Sequence, residues 1–350
     1  MLLFIFYNNY GREPKLPYLG IYEHEPPRKA PPVVVPAILS QKPDKNTIYQ
    51  IMFRGMFAGM LDITTKGLVS IKEIENRKHY QFTLEKPDEV EKLDFFNKII
   101  ANFFFQSKNQ ITDKELKDYA KNDSAKFRSH LSILYDQAIK WWESTLGNKL
   151  LDPISSKFYN IYLISVLCSI IIGSLLVSVG LSVLIGGPIK PFFILSIILG
   201  ILLFILFLFV GRSILRWSPE AYLEQKRWQN FKKFLSEGSA IEQAPITLLP
   251  IWEYYFVYAV ALGVAQKFLK NITNLAQRQN IQLSIPVWYV PATGRDSLSL
   301  ASFSESMISF QNFANNFTSM MNSLSTSAAT GGGFSGGGGA GGGGGSSGAG

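Results

Sequence analysis

One cysteine and three histidines are all that these 350 residues offer to soft-metal chemistry. Cys168 alone cannot form an intrachain disulfide, and inside an apolar run it reads as a small packing or lipid-facing residue. His24, His79 and His130 are far apart and fall in no ligand spacing, which excludes a Cys/His zinc site. Charge is also scarce: Asp, Glu, Lys and Arg make up 17% of the chain, against about a quarter in ordinary soluble domains. The carboxylates are scattered among lysines on helical faces, the usual solvated pattern, and no nucleophile–base pair stands out. The glycine-rich C-terminal end lacks the Lys-Ser/Thr and the strand-to-helix setting of a phosphate loop. These absences favour a non-enzymatic role, with no catalytic residue, cofactor or metal expected. The opening Met1-Leu2-Leu3-Phe4-Ile5-Phe6-Tyr7 is apolar but has no basic leader and no small-residue cleavage site, so it is not a signal peptide. Residues 1–7 are read as the stub of a membrane helix.

The missing charge is concentrated in two places. Residues 158–185 and 192–211 contain no ionisable Asp, Glu, Lys, Arg or His. Each reaches the roughly 20 apolar residues that cross a bilayer core at about 1.5 Å rise per residue. Gly186-Gly187-Pro188 and Pro191 make a tight turn between them, which predicts a transmembrane helical hairpin. Lys149 and Lys157 precede it, Arg212 and Arg216 follow it, and the turn holds only Lys190. The positive-inside rule then places both flanks in the cytoplasm of a multi-pass plasma (inner) membrane protein, with the turn outside. In this setting the net charge of +8 reflects topology and anionic lipid more readily than nucleic acid.

Residues 8–46 hold eight prolines, from Pro14 to Pro43, and are expected to be an extended linker. Residues 47–66 read as a helix with Met56, Phe57, Met60 and Ile63 on one face and Gly67 as its stop. Residues 68–74, a turn at Asn76-Arg77, and an alternation of Tyr80, Phe82 and Leu84 read as a strand pair. Helix, strand, turn, strand is the end of a winged-helix pattern. Leu93, Phe96, Ile99, Ile100, Phe103 and Phe104 then form an apolar stripe, and Thr112 with Glu115 a capping box. Phe127, Leu131, Leu134, Ala138 and Trp141 form a second stripe, with Trp142 free to pack or to reach the membrane surface. The segment 47–150 is thus a winged-helix-like and helical cytoplasmic domain.

Beyond the hairpin, 212–290 reads as a cytoplasmic helical segment. Residues 221–235 form an amphipathic helix with Trp228, Phe231 and Leu235 on one face, suited equally to the interface or to packing on the body. The run 251–269 is not a third span: Glu253, Gln266 and Lys267 leave a stretch too short for a bilayer. In the Ser/Asn-rich segment 291–330, Phe303, Met307, Phe310, Ala314, Phe317, Met321 and Leu324 step by four and three, an apolar seam on an almost uncharged helix. That seam is a candidate surface for self-association, a partner or the bilayer. Residues 331–350 are mostly glycine, with serine, alanine and one Phe334, and are expected to be a disordered tail.

Tyr10-Gly11-Arg12-Glu13-Pro14, Thr65-Lys66-Gly67-Leu68-Val69 and Glu91-Lys92-Leu93-Asp94-Phe95-Phe96 occur here in that order. Trp228-Gln229-Asn230-Phe231-Lys232-Lys233-Phe234-Leu235, Tyr258-Ala259-Val260-Ala261-Leu262-Gly263-Val264, Trp288-Tyr289 and the glycine tail follow. With these landmarks the chain resembles the YciQ-like group of predicted bacterial membrane proteins of unknown function. The resemblance implies the C-terminal part of such a protein, without the N-terminal extracytoplasmic domain, and brings no catalytic residues.

The fold class expected is therefore a mainly α membrane protein with a hairpin, a cytoplasmic α+β part and a glycine tail. Three functions compete. The first is a membrane-anchored interaction or envelope-associated scaffold module, with the bilayer and membrane or cytoplasmic proteins as partners. The second is a membrane-tethered winged-helix regulator; Arg54, Asp62 and Lys66 make a weak nucleic-acid footprint on its candidate helix, so nucleic acid is not the expected partner. The third is a membrane enzyme or transporter component, which the uncharged spans do not support.

Overall fold

The computed structural model describes residues 12–16, 20–39, 45–74, 79–106, 108–185, 194, 198, 200–201, 215–242, 246–281 and 286–290. A 21-residue helix, α2 (Lys45–Thr65), is the central element. Met52, Phe57, Ala58, Met60, Leu61 and Ile63 on it have no exposed surface, and it ends at Gly67 in the left-handed conformation. The strands β1 (Val69–Ile74) and β2 (His79–Leu84) follow and pair antiparallel, with Ile71 opposite Phe82. Tyr80, Phe82 and Leu84 all face the core, as the alternation predicts. The turn at Asn76-Arg77 lies outside the described residues. Two further strands, not foreseen from sequence, extend the sheet to the order β3-β2-β1-β4. They are β3 (Gln110–Thr112), antiparallel to β2, and β4 (Tyr289–Val290), parallel to β1. Both are too short to announce themselves by alternation.

The helix α3 (Phe95–Phe105) opens on Asp94, whose carboxylate accepts from Asn97 N at 3.1 Å. The helix α4 (Asp113–Asn122) opens on the expected capping box of Thr112 and Glu115. In α5 (Ser124–Leu146), Phe127, Leu131, Leu134, Ala138 and Trp142 are buried. Trp141 was expected in that stripe, but Trp142 fills the place and Trp141 is only half-buried. Trp142 Nε1 donates to Val34 O at 2.8 Å, which satisfies the one polar atom of a ring with no surface left.

That acceptor marks a difference from the expected linker. Within 8–46, residues 32–34 form a 3-10 turn and continue into a short helix, α1 (Val35–Ile38). Val33, Val34, Val35, Ala37 and Ile38 are fully buried. Pro32 and Pro36 sit in first-turn positions, where a missing N–H costs nothing. The segment lies so close to α2 that a Cβ on Gly55 would stand 2.5 Å from Val33 O.

Residues after the apolar blocks return to the same core. The helix α7 (Pro219–Ser236) buries Trp228, Phe231 and Leu235, so it packs on the body and does not float on an interface. Trp228 stands 6.4 Å from Trp142 and 5.7 Å from Tyr258, ring to ring, and Tyr258 Oη donates to Ala30 O at 2.8 Å. After the short α8 (Gly238–Glu242), the apolar run 251–269 folds as two helices, α9 (Trp252–Ala261) and α10 (Ala265–Arg278). They are separated at Gly263, where φ is +71°. Both are buried against protein. The segments 47–150 and 212–290 therefore contribute to one hydrophobic core and one sheet.

Candidate functional site

Between those two segments stands α6 (Pro153–Ile185), 33 residues long. At about 1.5 Å per residue this is roughly 50 Å, longer than the ~30 Å bilayer core. Among the described residues it is the one helix long and apolar enough to cross a membrane, over Pro153–Gly180. Ile161, Ile164, Leu167, Ile171, Ile172 and Leu175 are exposed along it, as is Cys168. Of the second apolar block, positions 194, 198, 200 and 201 are described, all helical. Gly200 is buried, and a Cβ there would stand 2.7 Å from Ile170 Cγ2 of α6. The remainder of 192–211, and the turn before it, lie outside the described residues.

The foot of α6 is a clamp. Leu151 and Trp217 form an antiparallel bridge. Ser218 N donates to Leu150 O at 2.8 Å, and Asp152 N to Arg216 O at 3.1 Å. Asp152 then does two things with its carboxylate: Oδ1 accepts from Ile154 N at 3.0 Å and starts the helix, while Oδ2 accepts from Arg216 Nε at 2.6 Å. Ser155 Oγ donates to Asp152 O and accepts from Arg216 N. On the other side, Ser218 caps α7 and Pro219 occupies its first turn. The chain thus leaves the body and re-enters it at one hydrogen-bonded point. Arg216, read from sequence as a topogenic charge, is engaged in this clamp.

Beside the clamp a cavity of about 570 Å³ opens between α5 and the first turns of α6. Tyr135, Asp136, Ile139 and Glu143 line it from α5; Lys149 to Leu151 form its floor; Ser156, Lys157 and Asn160 line it from α6, and Trp217 closes one side. Asp136, Lys149 and Lys157 are exposed and take part in no ion pair among the described residues. Glu143 accepts from Leu150 N at 3.4 Å. Burial, with a smaller contribution from the Asp136 charge, pushes the Tyr135 hydroxyl up to about 12, so it remains a proton donor at neutral pH.

In the sequence Lys149 and Lys157 stand out only as topology markers; the fold puts them on one cavity. Asp136, Ile139 and Glu143 were missed. Their three- and four-residue spacing on the face next to the buried stripe of α5 was the available signal. The seam Phe303, Met307, Phe310, Phe317, Met321 and Leu324, and the glycine tail, lie outside the described residues. The histidines are dispersed. His24 packs edge-on against Phe234, His79 meets Asp113 at 3.1 Å, and His130 Nδ1 lies 2.7 Å from Lys126 O. No metal-holding group of His, Cys, Asp and Glu occurs among the described residues.

Residues 20–272 match the family described as Predicted membrane protein (DUF2207) C-terminal domain. The chain belongs to that family. The family is one of predicted membrane proteins of unknown function, in keeping with the YciQ-like resemblance. No curated protein and no solved structure matches the chain. The matched span runs from the buried proline-rich segment through the clamp, the cavity and the apolar blocks to α10.

Proposed function

We propose that the chain is a membrane-anchored, non-enzymatic interaction module. In this reading its body sits on the cytoplasmic face of the plasma membrane, fixed to a two-helix hairpin formed by 158–185 and 192–211. The observation that carries the reading is the clamp. A segment whose two ends are hydrogen-bonded to each other, and whose flanks share one core, crosses a bilayer an even number of times. The contact of Gly200 with Ile170 supports antiparallel packing of the two helices through a small residue. Unpaired Lys149 and Lys157 beside the foot of α6 support the cytoplasmic side. The Phe303–Leu324 seam is the proposed surface for protein partners or self-association.

The nucleic-acid alternative is weakened by the burial of α2. Its Arg54 is half-buried, and its Asp62 is bonded to Lys66 and Asn97. A helix enclosed by its own core has no face to enter a groove. The transporter alternative lacks an Asp, Glu, Lys, Arg or His in either apolar block.

Topology is tested by thiol labelling of intact cells in a Cys168→Ser background. Ser182→Cys is expected to react with an impermeant maleimide and Lys140→Cys to react only after lysis. Labelling of Lys140→Cys in intact cells would sink the cytoplasmic placement. For the seam, crosslinking in native membranes is compared between the whole chain and forms cut after Thr330 and after Arg295. The first cut should leave association unchanged and the second should reduce it.

A further inference from the structure

The cavity at the foot of α6 is lined by side chains of both signs of charge. Its four charged side chains are two carboxylates, Asp136 and Glu143, and two ammonium groups, Lys149 and Lys157. They sum to zero, but they do not neutralise one another. Asp136, Lys149 and Lys157 stand outside every ion pair among the described residues, and Glu143 takes only a long bond from Leu150 N. Four charges around one cleft that leave each other unpaired present complementary partners to something placed between them. The volume, about 570 Å³, falls within the roughly 300–1,000 Å³ typical of small-molecule sites. The Tyr135 ring and hydroxyl and the Trp217 side chain complete the lining with the amphipathic aromatics found at headgroup depth.

Position selects the ligand. Lys157 and Asn160 lie at the start of the apolar helix, one turn before the exposed Ile161 and Ile164. A molecule in the cleft would therefore lie at the level of the phospholipid headgroups. From this we infer that the cavity is a headgroup site for a zwitterionic phospholipid of the phosphatidylethanolamine type. In this arrangement the phosphate meets Lys149 and Lys157, and the primary ammonium donates hydrogen bonds to Asp136 and Glu143. An anionic headgroup such as phosphatidylglycerol would bring its charge to the two lysines but offer the two carboxylates only neutral hydroxyl donors in place of an ammonium. A free phosphoethanolamine has the same chemistry; the lipid is distinguished by its acyl chains, which lie along α6. The inference rests on the membrane reading above.

The test uses the full chain purified in a non-ionic detergent. Short-chain phosphatidylethanolamine, phosphatidylglycerol of the same chain length and O-phosphoethanolamine are each titrated, and binding is read by native mass spectrometry and by intrinsic tryptophan fluorescence. Saturable binding of the phosphatidylethanolamine is expected, with at least tenfold weaker binding of both other ligands. Lys157→Glu should abolish the preference and Lys157→Ala should weaken binding about tenfold. Asp136→Lys should shift the preference to phosphatidylglycerol. Both positions, Asp136 and Lys157, are exposed, so the variants are not expected to disturb the core. Equal binding of the two lipids, or wild-type binding by both Lys157 variants, would overturn the site. O-phosphoethanolamine binding as tightly as the lipid would overturn the lipid as its source. Membrane retention after a carbonate wash is measured in parallel: a retained protein with no headgroup preference refutes this inference alone, and a released one refutes the membrane reading.

Discussion

The helix α6 and the helix pair α9–α10 carry similar apolar runs and meet opposite fates. Tyr255, Phe256, Val257, Ala259, Val260, Phe268, Leu269 and Ile272 are buried in protein. Ile161, Ile164, Leu167, Ile171, Ile172 and Leu175 are exposed. Each such side chain left in water forgoes roughly 1.5–3 kcal/mol of burial. A row of them along one helix is untenable there and ordinary in lipid. The lesson is that hydrophobicity by itself does not separate a core helix from a membrane helix. What separates these two is interruption. Glu253 opens one run and Gly263 bends it, so its halves fold back into the body, while the 33-residue α6 carries no charge from Phe158 to its end at Ile185.

The sharpest way to break this comparison is to remove one side of it. Because residues 150–152 and 216–218 are hydrogen-bonded, 154–214 can be replaced by a short glycine-asparagine turn without pulling the flanks apart. The excised form is expected to be monomeric in detergent-free buffer and to unfold cooperatively, by sedimentation and thermal circular dichroism. Aggregation of a correctly made excised form would show that the body also depends on lipid.

Next in size is a charge placed in the core. Phe82 is fully buried and stands 6.0 Å from Phe104, ring to ring. Phe82→Asp should destabilise the excised body by roughly 4 kcal/mol or more, enough to leave it unfolded at 37 °C. An unchanged melting temperature would show that the β2 face is not core. A smaller effect is expected at Gly55, where an added Cβ meets the Val33 carbonyl at 2.5 Å. Gly55→Ala should cost about 1–3 kcal/mol, since the obstacle is backbone and cannot rotate away. A neutral result would mean that the proline-rich segment docks loosely after all.

The smallest expected effect concerns Glu253. Burial raises its carboxyl above the ordinary range, while the bond donated by Trp288 Nε1 at 2.8 Å partly offsets this. The folded state then holds the proton more tightly than the unfolded state. Stability contributed by this group is present below the ordinary glutamate value and is lost as pH rises through the raised one. Glu253→Gln should remove that descending slope from a plot of melting temperature against pH. An identical slope in both proteins would assign it to another group.

Much of the body was legible because its signals are local. The capping box at Thr112 and Glu115, the stop at Gly67, and the Tyr80–Phe82–Leu84 alternation each depend on residues within a few positions. The misreadings have a common cause. Trp141 and Trp142 are adjacent, and helical spacing alone does not choose between neighbours; the Val34 carbonyl does. The prolines of 8–46 exclude a long regular helix, but do not say that the valines between them fill the space beside Gly55. The cavity was invisible for the same reason. Asp136, Glu143, Lys149 and Lys157 are ordinary surface charges until the angle between α5 and α6 gathers them.

By itself the sequence determined the apolar blocks, the capping box at Thr112, the stop at Gly67 and the central strand pair, because periodicity, caps and the lack of charge act over one or two turns. Only the tertiary structure decided that the chain on either side of the blocks forms one core, with β4 paired beside β1 and Trp228 beside Trp142. It also decided that Leu151 and Trp217 close the excursion between them. Those pairings join residues tens to hundreds of positions apart. Their stability comes from shape and hydrogen bonds that exist only once the helices are packed.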